Sequence, residues 1–336
     1  MSMPLVSISF IHFSTKTGYT TKHFVEPFLK SLAEQTYANV EICCVENGSE
    51  DKSSMEYVKQ YPHITIIELP ENISMAGHNE AIKRAKGKYI WAPTLDTVYD
   101  PTFLETLVEA AEKLPDGGSF GGTILSLSAK GEKTYKLDTS GIQASVTHHF
   151  KERDAGKIIT LPIEDTTPKA IFGICGASIL YRASAVKEIQ DSRGLLIDPD
   201  YFMYKEDIDV AYRFLWAGWK NYYIPNAIGY HVRTAKEKIR LGSDVLTAAV
   251  NRKGKADYAQ RFSLRNHLYL LYKNFSFSLP FYIVLRTIIY ECMKFGGLLL
   301  VGPKLYPVYI EFWKKRKTLQ KVKKTASPKE VAKYFN

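Results

Sequence analysis

The sequence predicts an α/β fold, in which a mostly parallel central sheet is flanked by helices and followed by a helical C-terminal extension. In the first third of the chain, short apolar runs alternate with segments of helical periodicity. Such alternation is typical of βαβ units and a parallel sheet. The last third instead carries a long apolar segment and then a basic run, which predicts the extension. We expect the domains at residues 1–240 and 241–336.

Seven elements are predicted before residue 93. Strands are expected at 5–13, 40–45, 64–69 and 89–92, and the helices between them at 24–33, 51–61 and 75–86. Gly87 follows the third helix, where a glycine commonly ends a helix.

The next part of the domain is less regular. Residues 131–167 are polar and are interpreted as an excursion over the face that holds the site. Around them we expect a helix from Pro101 to about Leu114, a strand at 120–127 and a strand or strand pair at 171–181. Helices are expected at 184–190 and 206–217, and short strands at 221–225 and 228–231. Gly218 is expected to end the helix at 206–217.

Polar loops follow the predicted parallel strands, at the edge where open α/β sheets bind ligands. These loops comprise residues 12–17, 46–49, 72–79 and 94–96. We therefore expect the binding residues of the first half of the domain to come from them.

Acidic side chains occupy two positions suited to chemistry. Asp96 follows the fourth predicted strand, where a carboxylate can bind Mg²⁺ or Mn²⁺ or simply cap the next turn. Glu206 and Asp207 begin a helix after an apolar stretch, so burial would raise their pKa values and suit a general base. The alternative is a favourable interaction with the helix dipole. Asp209 is the next acid, and position alone does not separate the three.

His231 and Arg233 follow the last predicted strand. An imidazole can bind a metal, although a lone histidine is more often structural. Arg233 can pair with a phosphate group of a bound donor. The first strand is not followed by a GxGxxG fingerprint, which disfavours a dehydrogenase.

Positive charge is concentrated at the C-terminus. The chain has 336 residues and a net charge of +10, and the run after Trp313 contains almost no acid. Before it, residues 279–301 are apolar but carry Arg286, Glu291 and Lys294, within an arc of about 140°. We expect an amphipathic helix in the membrane interface, with the basic tail binding anionic lipid. The alternatives are a helix packed on the domain and a solvated tail.

Cysteine usage and the start of the chain bear on the compartment. The four cysteines form no CxxC pair, which favours a reducing compartment. No charged segment precedes an apolar run at the start, so no secretory signal is expected. Together with the amphipathic helix, this predicts a cytoplasmic protein, peripheral on the inner face of the cell membrane.

Eight segments together resemble the inverting family 2 glycosyltransferases of the GT-A fold, especially bacterial rhamnosyltransferase-like enzymes of surface polysaccharide synthesis. They are VSISFIHFS, SLAEQTYANVEICCVENGSEDKS, ENISMAGHNEAIKRAKGKYI, APTLDTVYDPTFLE, GICGASILYRASAV, YFMYKEDIDVAYRFLWAGW, IPNAIGYHVRT and RFSLRNHLYLLYKN. Their order and spacing over residues 4–275 are more specific than any one of them. The resemblance implies a Rossmann-like nucleotide-binding half at about 1–97 and an acceptor half at about 98–240.

The resemblance also implies roles for the matching positions. Nucleotide contacts fall on His12, Ser14, Glu46, Asn47, Gly77, Asn79 and Leu95, and donor-sugar and acceptor contacts on Cys175, Gly176 and Ala177. Asp96 is implied as the ligand of Mg²⁺ or Mn²⁺, with His231 as a second candidate. Asp207 is implied as the general base, with Glu206 shaping the site. The implied reaction is a single inverting displacement, with the metal neutralising the departing diphosphate.

These roles predict the partners. We expect a nucleotide-sugar donor, namely dTDP-rhamnose or a UDP-sugar, a glycan or lipid-linked glycan acceptor, an anionic membrane surface and no nucleic acid. A homo-oligomer is left open.

Two other function classes remain to be tested. A degenerate transferase that binds without catalysis is suggested by Thr94, which stands where the family often has Asn or Asp. A nucleic-acid-binding protein is suggested by the net charge. The clustering of that charge beside an amphipathic helix, without a nucleic-acid-binding motif, argues against it.

Overall fold

The computed structural model describes residues 3–17, 21–128, 131–232, 257–301 and 303–336. Arg233 and the expected domain boundary after residue 240 lie outside the described residues.

A mixed sheet of ten strands forms the centre of the fold, and two further strands form a separate ribbon. In chain order the strands are β1 (Val6–His12), β2 (Val40–Asn47), β3 (Ile64–Leu69), β4 (Tyr89–Pro93), β5 (Thr97–Tyr99), β6 (Gly117–Leu127), β7 (Lys133–Thr139), β8 (Ile142–Ala144), β9 (Phe150–Glu152), β10 (Lys169–Ile171), β11 (Ser178–Arg182) and β12 (Lys220–His231). The main order is β10-β12-β6-β11-β4-β1-β2-β3, with β5 on β12 and β7 on β6. Strands β3, β2, β1, β4, β6 and β12 run in one direction, and β11 is antiparallel between β4 and β6. The prediction of a mostly parallel sheet is confirmed.

Helices cover the sheet and continue into the C-terminal extension. They are α1 (Lys22–Ala33), α2 (Met55–Lys59), α3 (His78–Ile82), α4 (Phe103–Lys113), α5 (Ala183–Ile189), α6 (Glu206–Ala217), α7 (Asp257–Asn274), α8 (Phe281–Val301), α9 (Pro307–Lys315) and α10 (Pro328–Ala332). None of these described helices combines the length and apolar character needed to cross a membrane.

The position of β1 shows why the sheet forms. Val6, Ile8 and Phe10 are buried on one face, because successive strand residues alternate between the faces of a sheet. Phe10 packs edge-on against Phe28 of α1, with the ring centroids 5.1 Å apart. On the other face, the buried Ser9 hydroxyl bonds to an imidazole nitrogen of His78 at 2.8 Å. Both faces are therefore covered by helices, as in α/β proteins.

The helix expected at 75–86 is shorter than the periodicity predicted. A 3₁₀ turn at Ser74–Gly77 leads into α3, which ends at Ile82. Gly87 does not cap it: a Cβ there would lie 2.6 Å from the backbone nitrogen of Ser7. The glycine is instead required because this backbone passes close to β1.

Strand β12 replaces the two short strands that were expected at 221–225 and 228–231. Its pairing with β6 shifts register between Ile224 and Ile228, so one strand passes through an irregularity. A proline at 225 explains the shift, since proline lacks the N–H needed for the ladder.

The C-terminal extension shares a hydrophobic core with the rest of the protein. Tyr212 and Trp216 of α6 pack in one cluster with Leu270 of α7, Ile283 of α8 and Phe335. The last residues therefore dock on the domain, and the tail is not the freely solvated segment that its charge suggested.

Candidate active site

A cavity of about 340 Å³ opens beyond the carboxyl ends of β4 and β12. It brings together most of the predicted metal, donor, acceptor and catalytic residues, namely Asp96, Cys175, Gly176, Ala177, Glu206, Asp207 and His231. These residues come from four separate parts of the chain. The edge of the sheet that the sequence indicated is therefore where the cavity lies.

Asp207 lies in the first turn of α6 with its carboxylate held by main-chain amides. Oδ2 accepts a hydrogen bond from the N–H of Gly176 at 3.0 Å, and Oδ1 accepts one from Ile208 at 2.8 Å. Burial raises the pKa of Asp207, and the nearby Glu152 raises it further. A carboxylate with a raised pKa suits a general base.

Glu206 lies beside Asp207 and differs from it in its hydrogen bonds. Its Oε2 is buried and has no hydrogen-bond partner among the residues that the structure describes. Burial raises the pKa of Glu206, and the charge of Asp207 raises it further. Two neighbouring carboxyl groups titrate as a pair. The state in which one of them is protonated and the other ionised is favoured over the state in which both are ionised. The backbone amides favour the charge on Asp207 and the proton on Glu206.

Asp209, the third candidate for the general base, has both carboxylate oxygens in hydrogen bonds that hold the fold together. Its Oδ2 accepts hydrogen bonds from Arg213 and Lys273, each at 3.0 Å. Its Oδ1 accepts from the side chains of Tyr201 and Asn274. Burial raises the pKa of Asp209, but Lys273 and Arg213 outweigh burial and hold it below its usual value. The side chain is 1% exposed and is committed to holding α6 against α7.

We expect Asp209→Asn to destabilise the fold by about 3–5 kcal/mol, because it leaves the buried Arg213 guanidinium without this carboxylate. Urea denaturation of the two proteins would measure this. Asp207→Asn is the matched control and should not lower stability, since burial already disfavours the charge of Asp207. Equal denaturation midpoints for Asp209→Asn and the native protein would contradict the structural role.

Asp96, His231 and Asp138 form a chain of side chains, of which Asp96 and His231 line the cavity. His231 Nε2 lies 3.2 Å from Asp96 Oδ2, and Nδ1 donates to Asp138 Oδ2 at 2.9 Å. Burial lowers the pKa of His231, but the two carboxylates outweigh burial and raise it to about 9. Asp138 was not predicted, because it lies in β7 within the irregular polar segment. It fixes the orientation of the ring so that Nε2 faces Asp96.

The chemistry of Asp96 and His231 fits a divalent cation, which would displace the proton that the raised pKa places on His231 Nε2. A carboxylate oxygen and an imidazole nitrogen, both at the cavity, are usual ligands, and a carboxylate on the second ring nitrogen is the usual support for a metal-binding histidine. Within the described ranges, no three histidine, cysteine, aspartate or glutamate side chains are grouped to hold a metal ion.

The predicted nucleotide-binding residues near β1 and β2 form a separate, well-bonded cluster. Glu46 accepts a hydrogen bond from the Ser49 amide at 2.7 Å and forms an ion pair with Lys52 at 2.9 Å. His12 Nδ1 lies 3.2 Å from the Ser49 hydroxyl, and the Ser14 amide donates to that hydroxyl at 3.1 Å. Burial raises the pKa of Glu46, but the bonds from Ser49 and Lys52 outweigh burial and hold it low. The carboxylate is thus kept charged.

Four other residues that were predicted to contact the nucleotide pack against or hydrogen-bond to other parts of the protein. Asn47 accepts the Ile73 amide, and Asn79 accepts the amides of Leu196 and Ile197. A Cβ at Gly77 would meet side chains of β1 and β2 at 3.3–3.5 Å. The side chain of Leu95 is buried in the main core, so any nucleotide contact from it would involve the backbone.

Sequence reasoning missed several residues that line the cavity, among them Glu152, Lys205 and Ser263. Glu152 Oε1 accepts a weak hydrogen bond from the Cys175 thiol at 3.6 Å. The polar excursion was expected over the active-site face, but its individual residues carry no period that would single them out. Ser263 belongs to α7, so the C-terminal extension contributes to the cavity wall.

Comparison with known proteins gives a family, relatives and a fold. The family model described as "Glycosyl transferase family 2" matches residues 18–190. The chain is 23% identical over 232 residues to an N-acetylglucosaminyl-diphospho-decaprenol L-rhamnosyltransferase of Mycobacterium tuberculosis, covering 63% of this chain and 73% of that protein. It is 30% identical over 114 residues to the uncharacterized glycosyltransferase EpsJ of Bacillus subtilis, covering 33% of this chain and 31% of that one.

A solved structure supports the expected GT-A fold. The crystal structure of GalNAc-T7 with UDP, GalNAc and Mn²⁺ matches with a TM-score of 0.54 and 12% identity. The match covers 79% of this chain and 51% of that chain, so this chain matches about half of the solved protein. The family match extends over just over half of the sequence and includes the Asp96 and Cys175–Ala177 parts of the cavity. The chain therefore belongs to the family 2 glycosyltransferases.

Proposed function

We propose that the protein transfers a sugar, with inversion, from dTDP-rhamnose or a UDP-sugar to a hydroxyl group of a glycan. The main support is that one cavity holds both Asp207, whose carboxylate is suited to act as the general base, and the Asp96–His231 pair, which would hold the cation. The rhamnosyltransferase relative favours rhamnose as the sugar.

In the proposed reaction, Asp207 accepts the proton of the acceptor hydroxyl as its oxygen bonds to the anomeric carbon. The bond from that carbon to the diphosphate breaks, and the nucleoside diphosphate leaves with the electron pair. Asp96 and His231 would hold Mg²⁺ or Mn²⁺, which neutralises the charge of the diphosphate. Gly176 holds Asp207 in place through its N–H, and Glu206 keeps its proton beside it.

We also propose a lipid-linked glycan acceptor in cell-surface polysaccharide synthesis. The relative from Mycobacterium tuberculosis is named for a sugar carried on diphospho-decaprenol. Such an acceptor is confined to a membrane, so the enzyme would have to work at the inner face of the cell membrane. The orientation of α8 supports this.

Helix α8 turns an apolar face away from the protein. This outward face consists of Phe281, Tyr282, Leu285, Ile288, Ile289 and Met293, which are 42–77% exposed. Two of its three charged residues, Glu291 and Lys294, point inward, where Glu291 accepts a hydrogen bond from His267 at 2.7 Å. Helices on soluble surfaces have the opposite arrangement. A contiguous apolar face of this kind marks an interaction site.

Anionic lipid is the occupant that the surroundings favour. Arg286 is exposed at the edge of the outward face, and Lys304 and Lys314 are exposed on the segments that follow α8. Trp313 is 63% exposed, and exposed aromatic rings beside lysines are typical of membrane interfaces. The protein would thus be peripheral, with its basic residues near the lipid headgroups.

We expect the double variant Leu285→Glu/Ile288→Glu to bind anionic liposomes about 100-fold more weakly, since each change removes apolar burial worth about 1.5 kcal/mol. Liposome co-sedimentation would measure this. Ile158→Glu is the matched control, because Ile158 is 74% exposed outside this face. Unchanged sedimentation of the double variant would rule out the outward face as the lipid contact, and binding to an oligonucleotide instead would favour a nucleic-acid partner.

The transferase proposal is tested with a panel of nucleotide-sugars. The purified protein is given each donor with Mg²⁺ or Mn²⁺, and nucleoside diphosphate release is followed with and without EDTA and with lipid-linked acceptors. Metal-dependent release from one donor would support the proposal and identify the sugar. Release that persists in EDTA would support the transfer reaction and contradict the requirement for a divalent cation. Donor binding without release under any condition would favour a binding module.

A further inference from the structure

The backbone that leads into helix α6 has positive φ angles at three non-glycine residues. Phe202, Tyr204 and Lys205 have φ angles of 60°, 70° and 71°, in the left-handed region. This conformation costs non-glycine residues about 1–2 kcal/mol each. It persists only where the surrounding structure holds it. Here it precedes Glu206 and Asp207 directly, so it sets where the two carboxyl groups point.

The holding contacts come from α7. The side-chain amide of Asn266 donates to the carbonyl oxygens of Tyr201, Met203 and Tyr204 at 2.7–2.8 Å. Arg265 donates through Nη2 to the carbonyls of Asp200 and Tyr201 at 2.9 and 3.0 Å. Asn266 is completely buried. Among the described residues, its amide nitrogen thus donates to main-chain oxygens of the strained segment, and its Oδ1 accepts a hydrogen bond from Arg265 Nε at 3.0 Å.

A second pair on α7 holds the two ends of the segment. Lys273 Nζ donates to Asp198 at 2.8 Å and to Asp209 at 3.0 Å. Asn274 donates to Asp209 at 2.9 Å. Asp198 in turn accepts the amide of Asp200, where the segment begins. Helix α7 therefore binds the segment before, within and after its left-handed residues.

We propose that Asn266, supported by Arg265, is a positioning residue for catalysis. It holds residues 201–205 in the strained conformation that presents Asp207 and Glu206 to the cavity. The proposal rests on the proposed transfer reaction, in which Asp207 is the base. It gives the C-terminal extension a catalytic purpose that is separate from membrane binding. Asn266 does not line the cavity, so it acts through the backbone and not through substrate.

The test uses Asn266→Asp, which has the same shape but replaces the donating amide, together with Asn266→Ala. Asn221→Ala is the matched control, because Asn221 is also completely buried and its amide donates to the carbonyls of Phe172 and Ala211. Hydrogen–deuterium exchange of residues 200–207, kcat, KM and nucleoside diphosphate affinity are measured for each. For both Asn266 variants we expect faster exchange at 200–207, kcat lower by about 100-fold and unchanged nucleotide affinity. The control should lose stability while keeping kcat.

Three results would overturn the proposal. They are unchanged exchange at 200–207, faster exchange with full kcat, or a loss of nucleotide affinity equal to the loss of kcat. Should Asn266→Ala fail to fold, Asn266→Asp and Arg265→Lys decide by the same measurements. If the native protein releases no nucleoside diphosphate from any donor, the transfer reaction fails. Exchange at 200–207 in the native protein and in Asn266→Asp still shows whether Asn266 holds the segment.

Discussion

Asp207→Asn is expected to lower kcat by about 10²–10⁴-fold, the range over which a general base contributes. The asparagine can still accept the N–H of Gly176, so the fold of the cavity should be kept. It cannot take the proton of the acceptor hydroxyl. Nucleoside diphosphate binding should be unchanged, because Asp207 is not among the side chains proposed to hold the cation or the nucleotide. Steady-state kinetics with an active donor and calorimetry with the nucleotide would measure both quantities.

Glu206→Gln is the matched control for this prediction. Burial and the charge of Asp207 raise the pKa of Glu206, so the native side chain holds a proton that glutamine imitates. This variant should therefore keep most of its turnover. The reverse pattern, an active Asp207→Asn and an inactive Glu206→Gln, would assign the base to Glu206.

The pH dependence of the native enzyme gives an independent check. A base acts when deprotonated, and the pKa of Asp207 is raised, so kcat/KM should fall as pH drops through that raised value. Burial is the main cause, and Glu152 adds to it. Lys205 partly opposes both. Glu152→Gln should consequently move the acidic limb to lower pH.

Much of the fold was predictable because its elements are buried in regular patterns. The helix α6 has the predicted bounds, and its C-terminal Gly218 adopts the left-handed φ of 92° that was expected. Strands β7 to β9 were not predicted. Their segment is polar and partly exposed, with Tyr135 at 60% exposure, so no apolar alternation marks them. The expected end of the third helix was wrong because Gly87 does not cap α3: it is a glycine because the backbone there passes close to β1.

The candidate site was predictable where position alone brings residues together. Asp96 and His231 end strands that meet at one edge of the sheet, and Asp207 begins a helix at that edge. The sequence alone could not distinguish Asp207 from Asp209 as the candidate general base. It depends on Lys273 and Asn274, which are 64 and 65 residues further along the chain. Asp138 and Glu152 were missed for the related reason that their strands carry no recognisable period.

Asp96→Asn is expected to weaken Mn²⁺ binding, measured with nucleoside diphosphate present, more than any other single change at the cavity. It removes one of the two side chains that would hold the cation, and a neutral amide oxygen is a poorer ligand than a carboxylate. Electron paramagnetic resonance of free Mn²⁺ during titration measures the affinity without requiring turnover. Asp100→Asn is the matched control: Asp100 is a nearby aspartate whose carboxylate pairs with Lys133 at 2.7 Å. Its affinity for Mn²⁺ should equal that of the native protein.

The Mn²⁺ affinity of Asp138→Asn should lie between those of Asp96→Asn and Asp100→Asn. Its side chain would not touch the cation, but it accepts the Nδ1 proton of His231 at 2.9 Å and so directs Nε2 toward Asp96. Loss of such a partner typically weakens metal binding by about 10–100-fold. The order Asp96→Asn, Asp138→Asn, Asp100→Asn in decreasing effect would therefore identify His231 as a ligand held by Asp138. An Asp138→Asn variant with native Mn²⁺ affinity, beside an Asp96→Asn variant that has lost it, would leave Asp96 as a ligand and exclude His231.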